Sequence, residues 1–183
     1  MRYGDAKMQK INVVGTSGSG KSTFSRQLAD KLRYPHVEMD ALFWKANWQE
    51  SSDDEFFAAL IQRLERDCWV LDGNYNRTVP IKWSNVDTVI WIDYSFSRTV
   101  YQAVTRALVR SATRKEIWPG TGNVETFRKS FFSKESVVWW SIKHFHRNRE
   151  RYQAMSQDPQ FEHIRFVRLT SPKMAQEFIH QQA

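Results

Sequence analysis

The sequence predicts an α/β fold: a P-loop NTPase built on a five-stranded parallel sheet with helices on both faces. Three observations carry this expectation. Five short apolar runs alternate with helical patterns along the 183 residues, the order expected when crossing helices join parallel strands. The first run, Lys10 to Val14, leads through Gly15-Thr16-Ser17-Gly18-Ser19-Gly20-Lys21-Ser22 into a helical pattern, so G-x-x-x-x-G-K-[ST], the Walker A pattern, spans a strand–loop–helix junction. Asp40, Asp72 and Asp93 close three later strands, at the sheet edge where folds of this kind bind ligands.

The elements follow in order. The first helix starts near Gly20 and runs to Leu32; His36 to Asp40 reads as a second strand ending in acids, and Ala41 to Glu50 as an irregular aromatic stretch. Ser52 and Glu55 have capping-box spacing, so a helix begins there. It extends to about Arg66 and buries Phe56, Leu60, Ile61 and Leu64. Cys68 to Gly73 and Asp87 to Asp93 are the third and fourth strands. A helix over Phe96–Arg114 ends where Pro119, Gly120 and Gly122 break the pattern. Helical pattern resumes near Val124 and continues to about Met155, with an apolar stripe through Phe131, Val138, Ile142, Phe145 and Tyr152. His163 to Leu169 is the fifth strand, and Pro172 to Gln181 a closing helix with proline in its first turn.

A chain of this length fits one domain, with a basic helical lid over roughly residues 98–151. Hydrophobic residues make up 41% of it, with 8 Trp, enough for a core. No apolar run approaches the roughly 20 residues of a membrane span, and the polar start lacks the apolar centre of a secretory signal. One cysteine, Cys68, excludes an internal disulfide and a multi-cysteine zinc site; it reads as a buried thiol leading a strand. A soluble cytoplasmic protein fits these features. The net charge of +7 is concentrated: residues 98–151 hold 12 Lys and Arg against 4 Asp and Glu, and the rest 15 against 16. That segment either closes over polyphosphate or contacts a polyanion such as nucleic acid.

The chemistry suited to this pattern is phosphoryl transfer from ATP with Mg²⁺, which needs a phosphate cradle, a metal, positive charge and an oriented acceptor. Gly15, Thr16, Ser17, Gly18, Ser19, Gly20, Lys21, Ser22 and Thr23 form the nucleotide-binding stretch. Inward backbone amides and the positive end of the first helix make the anion site. Lys21 reaches the phosphates, and Ser22 ligates the metal. Asp72, after an apolar strand, suits the outer metal shell, the alternative being a turn Asp before Gly73. Asp40 is placed to hydrogen-bond an acceptor hydroxyl and take its proton. Glu38, two residues earlier on the same side of that strand, reaches a metal-bound water; both acids also fit as solvated strand ends. Arg106, Arg110 and Arg114 stack along one helix face, and Arg110 and Arg114 are assigned to the transferring phosphate, against a plain solvated basic face. Arg77 and Trp44 are expected to bind the acceptor, with Trp48 beside them; core packing is the competing role for the aromatics. The run Lys143 to Arg149, near Trp139 and Trp140, permits a nucleic-acid reading, although its aromatics partly follow the apolar stripe.

The glycine loop, the run His36-Val37-Glu38-Met39-Asp40-Ala41-Leu42-Phe43-Trp44, Leu71-Asp72-Gly73-Asn74-Tyr75 and Ile90-Trp91-Ile92-Asp93-Tyr94 together resemble the DNA topology modulation (FlaR-related) proteins. These are bacterial P-loop proteins similar to adenylate kinase and shikimate kinase. The resemblance implies a nucleoside-monophosphate-kinase-like fold, sheet order 2-3-1-4-5, and a lid between the fourth and fifth strands. It implies that Glu38 and Asp40 match the acidic pair of shikimate-type kinases, and that Leu71-Asp72-Gly73 matches the adenylate-kinase Asp-Gly motif. Adenylate kinases continue Phe-Pro-Arg, whereas this chain has Asn74-Tyr75-Asn76-Arg77, so acceptor specificity does not transfer. The expected function is a small-molecule ATP-dependent kinase. A nucleotide-gated DNA-binding regulator is the alternative from another class, and an NTPase without an acceptor is a third.

Overall fold

A computed structural model describes residues 8–127 and 136–182. Strands β1 (Lys10–Gly15), β2 (His36–Glu38), β3 (Trp69–Asp72), β4 (Thr88–Ile92) and β5 (Arg165–Leu169) form one sheet in the order β2-β3-β1-β4-β5. Every pairing is parallel, with Val13 beside Asp72 and Ile90. Helices α1 (Lys21–Leu32), α2 (Met39–Phe43), α3 (Asp53–Leu64), α4 (Val79–Lys82), α5 (Phe96–Thr113), α6 (Val137–Met155) and α7 (Pro172–His180) connect and cover it.

Period-two alternation splits the strand residues between two cores. Ile11, Val13, Val70, Ile90, Ile92 and Val167 face Phe24 and Leu28 of α1 and Phe178 of α7. Val14, Trp69, Leu71, Val89 and Trp91 face Phe56 and Leu60 of α3 and Tyr152 of α6. Burying each such side chain stabilises the fold by roughly 1.5–3 kcal/mol relative to leaving it in water. Asn12 is the polar exception in β1; its amide donates to Leu71 O at 3.1 Å and its carbonyl accepts from Trp83 Nε1 at 2.9 Å.

The predicted capping box is present. Ser52 Oγ accepts from the Glu55 amide, and the Glu55 carboxylate accepts from the Ser52 amide at 3.0 Å. Four expectations are corrected. Strand β2 stops at Glu38 because β3, its only partner among the described residues, ends at the paired Asp72; Asp40 therefore lies in the first turn of α2. Ile61 is 48% exposed and takes no part in the core. Helical structure does not resume at Val124, which instead bridges to Glu116; Glu116 holds the turn by accepting from the Gly120 and Gly122 amides, both at 2.9 Å. Cys68 is half-buried. Of the apolar stripe, Val138, Phe145 and Tyr152 are buried, Ile142 is half-buried, and Phe131 lies outside the described residues. Among the described residues no helix is long and apolar enough to cross a membrane.

Candidate active site

The loop after β1 is built for an anion. Helices α3, α5, α6 and α7 each begin with a serine whose hydroxyl accepts a first-turn amide. Helix α1 begins with Gly20 in a left-handed conformation (φ 90°) and has no side-chain cap. The short α2 and α4 also lack a side-chain cap, but α1 is the long helix whose first-turn amides and positive dipole end are able to bind an anion. Gly18 (φ +84°) lies so close under α5 that a Cβ there would sit 2.7 Å from the Ala103 Cβ. One turn further along α5, Arg106 donates to Ser17 Oγ at 3.3 Å. Burial, then the neighbouring Arg110, lower the Arg106 pKa, while Glu125, Asp40 and Asp72 act in the opposite sense. Of the three spaced arginines, Arg106 is the one on the loop. Arg110 pairs with Glu125 at 3.0 Å, and Arg114 is exposed at the end of α5.

Asn74 fixes the other side of the loop. Its Oδ1 accepts from the Gly15 amide at 3.1 Å and from the Tyr152 hydroxyl at 3.0 Å, and its Nδ2 donates to Gly15 O. Behind it, Lys82 on α4 is buried and donates to Gly73 O at 3.3 Å. Burial, and secondarily Arg151, pull the Lys82 pKa down to about 7.

Glu38, Asp40 and Asp72 lie within electrostatic reach of one another. Asp72 is 3% exposed, and its Oδ1, like Ser19 Oγ, has no hydrogen-bond partner among the described residues. Burial raises the Glu38 pKa, with Asp72 and Asp40 adding to the rise and Arg26 and Lys21 opposing it. His36, bonded to Ser25 Oγ at 3.0 Å, has its pKa lowered by burial against the pull of Asp72. Asp40 accepts the Tyr75 hydroxyl at 2.8 Å. Asp40 and Asp72 act on both Glu38 and Arg106, and Lys21 acts on Glu38, so these groups lie within electrostatic reach of one another beside the loop. An unpartnered carboxylate oxygen and an uncapped helix end fit a cation-bound polyphosphate; among the described residues no three His, Cys, Asp or Glu form a metal cluster of their own.

Beyond Asp40 the walls are aromatic. Trp44 packs edge-on against Trp48 (ring centroids 5.7 Å apart), and Trp48 against Trp118 of the Gly/Pro break (6.0 Å). Asn123, fully buried, binds this wall: its Oδ1 accepts from the Trp48 amide at 2.8 Å and its Nδ2 donates to Lys45 O at 2.9 Å. Thr121 O accepts from the Asn47 amide at 3.3 Å. The segment after α5 is thereby fastened to the Asp40 side of the cleft. Arg77 lies over the Phe43 ring at 5.0 Å and pairs with Asp53 at 3.2 Å.

A shikimate kinase family model matches residues 17–60, the stretch from the loop through α3. A crystal structure of a gluconokinase from Sinorhizobium meliloti 1021 superposes with a TM-score of 0.50 at 20% identity, over 94% of this chain and 87% of that one. The fold is that of the P-loop kinases. A search of curated proteins finds no match.

Three arginines of the basic segment are engaged within the fold, and five of its cations face solvent. Arg106 rests on the loop and Arg110 on Glu125. Arg149 pairs with Asp93 at 2.9 Å, beside Arg168 at 2.6 Å. Arg98, Arg114, Lys115, Lys143 and Arg147 are exposed. Trp139 and Trp140 are 62% and 57% exposed, and Trp140 stacks on His144. Sequence reasoning assigned no role to Asn74, Tyr75, Asn123 or Glu125. Asn74 and Tyr75 follow Asp72-Gly73, and a polar residue after a strand-end Asp-Gly is the available signal; Asn123 carries none beyond its place in the break.

Proposed function

We propose that the protein is a kinase that moves the γ-phosphoryl group of ATP onto a hydroxyl of a small molecule. The observation that carries this is the uncapped start of α1 at Gly20-Lys21, with Arg106 laid across the same loop. Shikimate and gluconate, the compounds in the two matched names, are both small hydroxyl compounds, which supports the acceptor class without fixing its member.

In this reading Gly15 to Thr23 hold the triphosphate, Lys21 supplies a point charge to it, and Arg106 and Arg110 face the transferring group. Magnesium, when bound, neutralises phosphate charge; Ser22 would hold it, with Asp72 and Glu38 behind. Tyr75 fixes one oxygen of Asp40, leaving the other to accept the proton of the acceptor hydroxyl. As the acceptor oxygen bonds to the γ-phosphorus, the bond to the β–γ bridging oxygen breaks and ADP leaves; the proton passes through Asp40 to solvent. Arg114, exposed at the helix end, is a weaker participant than Arg106. Trp44 walls the acceptor, and Arg77 orders the aromatic floor beside it. The reading also keeps the protein in the cytoplasm and among the topology-modulation group, which the Asp72–Tyr75 stretch supports.

Calorimetry with ATP and Mg²⁺, followed by an ADP-release screen over hydroxyl acceptors, tests this directly. Binding with acceptor-dependent ADP release is expected. No heat at millimolar ATP overturns it.

A further inference from the structure

We infer that Asn123 is a clasp: it locks residues 44–50, beside Asp40, to residues 116–125, after α5, so that the two segments move as one body and not as two separate flaps. Three hydrogen bonds cross between them. Asn123 Oδ1 accepts from the Trp48 amide at 2.8 Å, Asn123 Nδ2 donates to Lys45 O at 2.9 Å, and Thr121 O accepts from the Asn47 amide at 3.3 Å. Asn123 is 0% exposed. Parting the segments at this point strands both ends of its side-chain amide, together with the Trp48 amide, until water enters. Trp48 adds an edge-on contact to Trp118.

Each segment is also closed on itself, so the clasp joins two stiff pieces. In the first, the Lys45 amide donates to Gln49 O at 2.7 Å, and Trp44 bridges to Glu50. In the second, Glu116 accepts from the Gly120 and Gly122 amides and bridges to Val124, and the Ile117 amide donates to Asn123 O at 2.9 Å. The backbone of the first piece depends on the second. Asn47 and Trp48 have φ of 59° and 60°, left-handed values that are unfavourable for residues other than glycine. The amides of these same two residues are the ones accepted across the clasp.

The joined segments connect to both sides of the cleft. Two residues past Asn123, the buried Glu125 pairs with Arg110 of α5 at 3.0 Å, and Arg106, one turn earlier, touches Ser17 of the nucleotide loop. At the opposite end the Trp44 amide donates to Asp40 O at 2.9 Å. On the kinase reading, on which this consequence rests, a single movement closes the Asp40 side and the segment after α5 together.

The test is residue-resolved amide hydrogen exchange on the full chain, with and without ATP and Mg²⁺. An opening that parts the two segments exposes the Asn47 and Trp48 amides and spares the Ile117 amide, which is bonded inside its own turn. For one body, the protection factors of Asn47 and Trp48 are expected to lie no more than fivefold below that of Ile117, in both states. A larger gap in either state overturns the inference. In Asn123→Ala, exchange at Asn47 and Trp48 is expected to quicken at least tenfold, with the Phe56 amide of α3 unchanged as the folding control; a smaller change overturns the inference. The wild-type comparison decides the matter whether or not the variant folds. Calorimetry with ATP fails separately: no heat overturns the kinase reading, and the ligand-free exchange still decides the clasp.

Discussion

At the scale of single residues, Lys21 and Asn74 divide the work at the loop between charge and position. Lys21→Ala removes an ammonium group from a solvent-facing helix start, so the fold should survive. Turnover should fall by at least about two orders of magnitude, typical for a lost electrostatic contact to developing charge; steady-state kinetics beside circular dichroism check this. Asn74→Ala acts differently. It leaves the Gly15 amide and the Tyr152 hydroxyl without their acceptor, and an unsatisfied buried donor costs about 1–3 kcal/mol. We expect ATP binding to weaken about tenfold with a lowered Tm, read by calorimetry and thermal melting. The role proposed for Lys21 comes from its motif alone. Asn74 was not legible, since its role depends on a contact between loops brought together only by the pairing of β1 with β3.

Elements were legible where local rules and tertiary packing agree. Ser52 and Glu55 announce α3 because the capping box is wholly local. Replacing Ser52 by Ala should cost about 1 kcal/mol, measurable as a shift of the urea midpoint with unchanged kinetics. Strand β2 was read too long because apolar–acidic alternation continues to Asp40, while the partner strand ends two residues sooner. The segment after α5 was read as helix from Val124 because its turn is closed by the Glu116 carboxylate across several residues, a contact that periodicity does not encode. The meeting of α5 with the loop gives a sharper test. Gly18→Ala places a methyl group against Ala103, and overpacking of this kind costs about 1–3 kcal/mol. Nucleotide affinity should fall with it, and the added Ala103→Gly should restore part of both. Additive losses in a double-mutant cycle would contradict the contact.

For the whole molecule, the parallel sheet with a core on both faces followed from strand–helix alternation, and the strand order from the family resemblance. Stability against pH is where the molecule departs from its composition. Lys82 is buried, and its pKa is depressed from 10.5 to about 7. Between those values the unfolded chain carries a proton on this residue that the folded chain does not. Stability from Lys82 therefore rises with pH from about 7 toward 10.5, and below about 7 the folded protein bears the full penalty of a buried charge. Lys82→Met should raise the Tm near pH 6 and flatten the rise at alkaline pH. Gly73 O keeps a second donor in Asn12 Nδ2, at 3.4 Å, so the exchange does not strand that carbonyl. Thermal melts of both proteins from pH 6 to 10 check the sign.

Helix α6 is fastened unevenly. Toward its end Arg149 grips Asp93 and Tyr152 reaches Asn74, while near its beginning Trp139 and Trp140 stand in solvent. Val138 and Ser141 are buried beside them, so one face of this helix is held along its length while the opposite edge meets water, and Asn74 carries that anchorage through to the loop after β1.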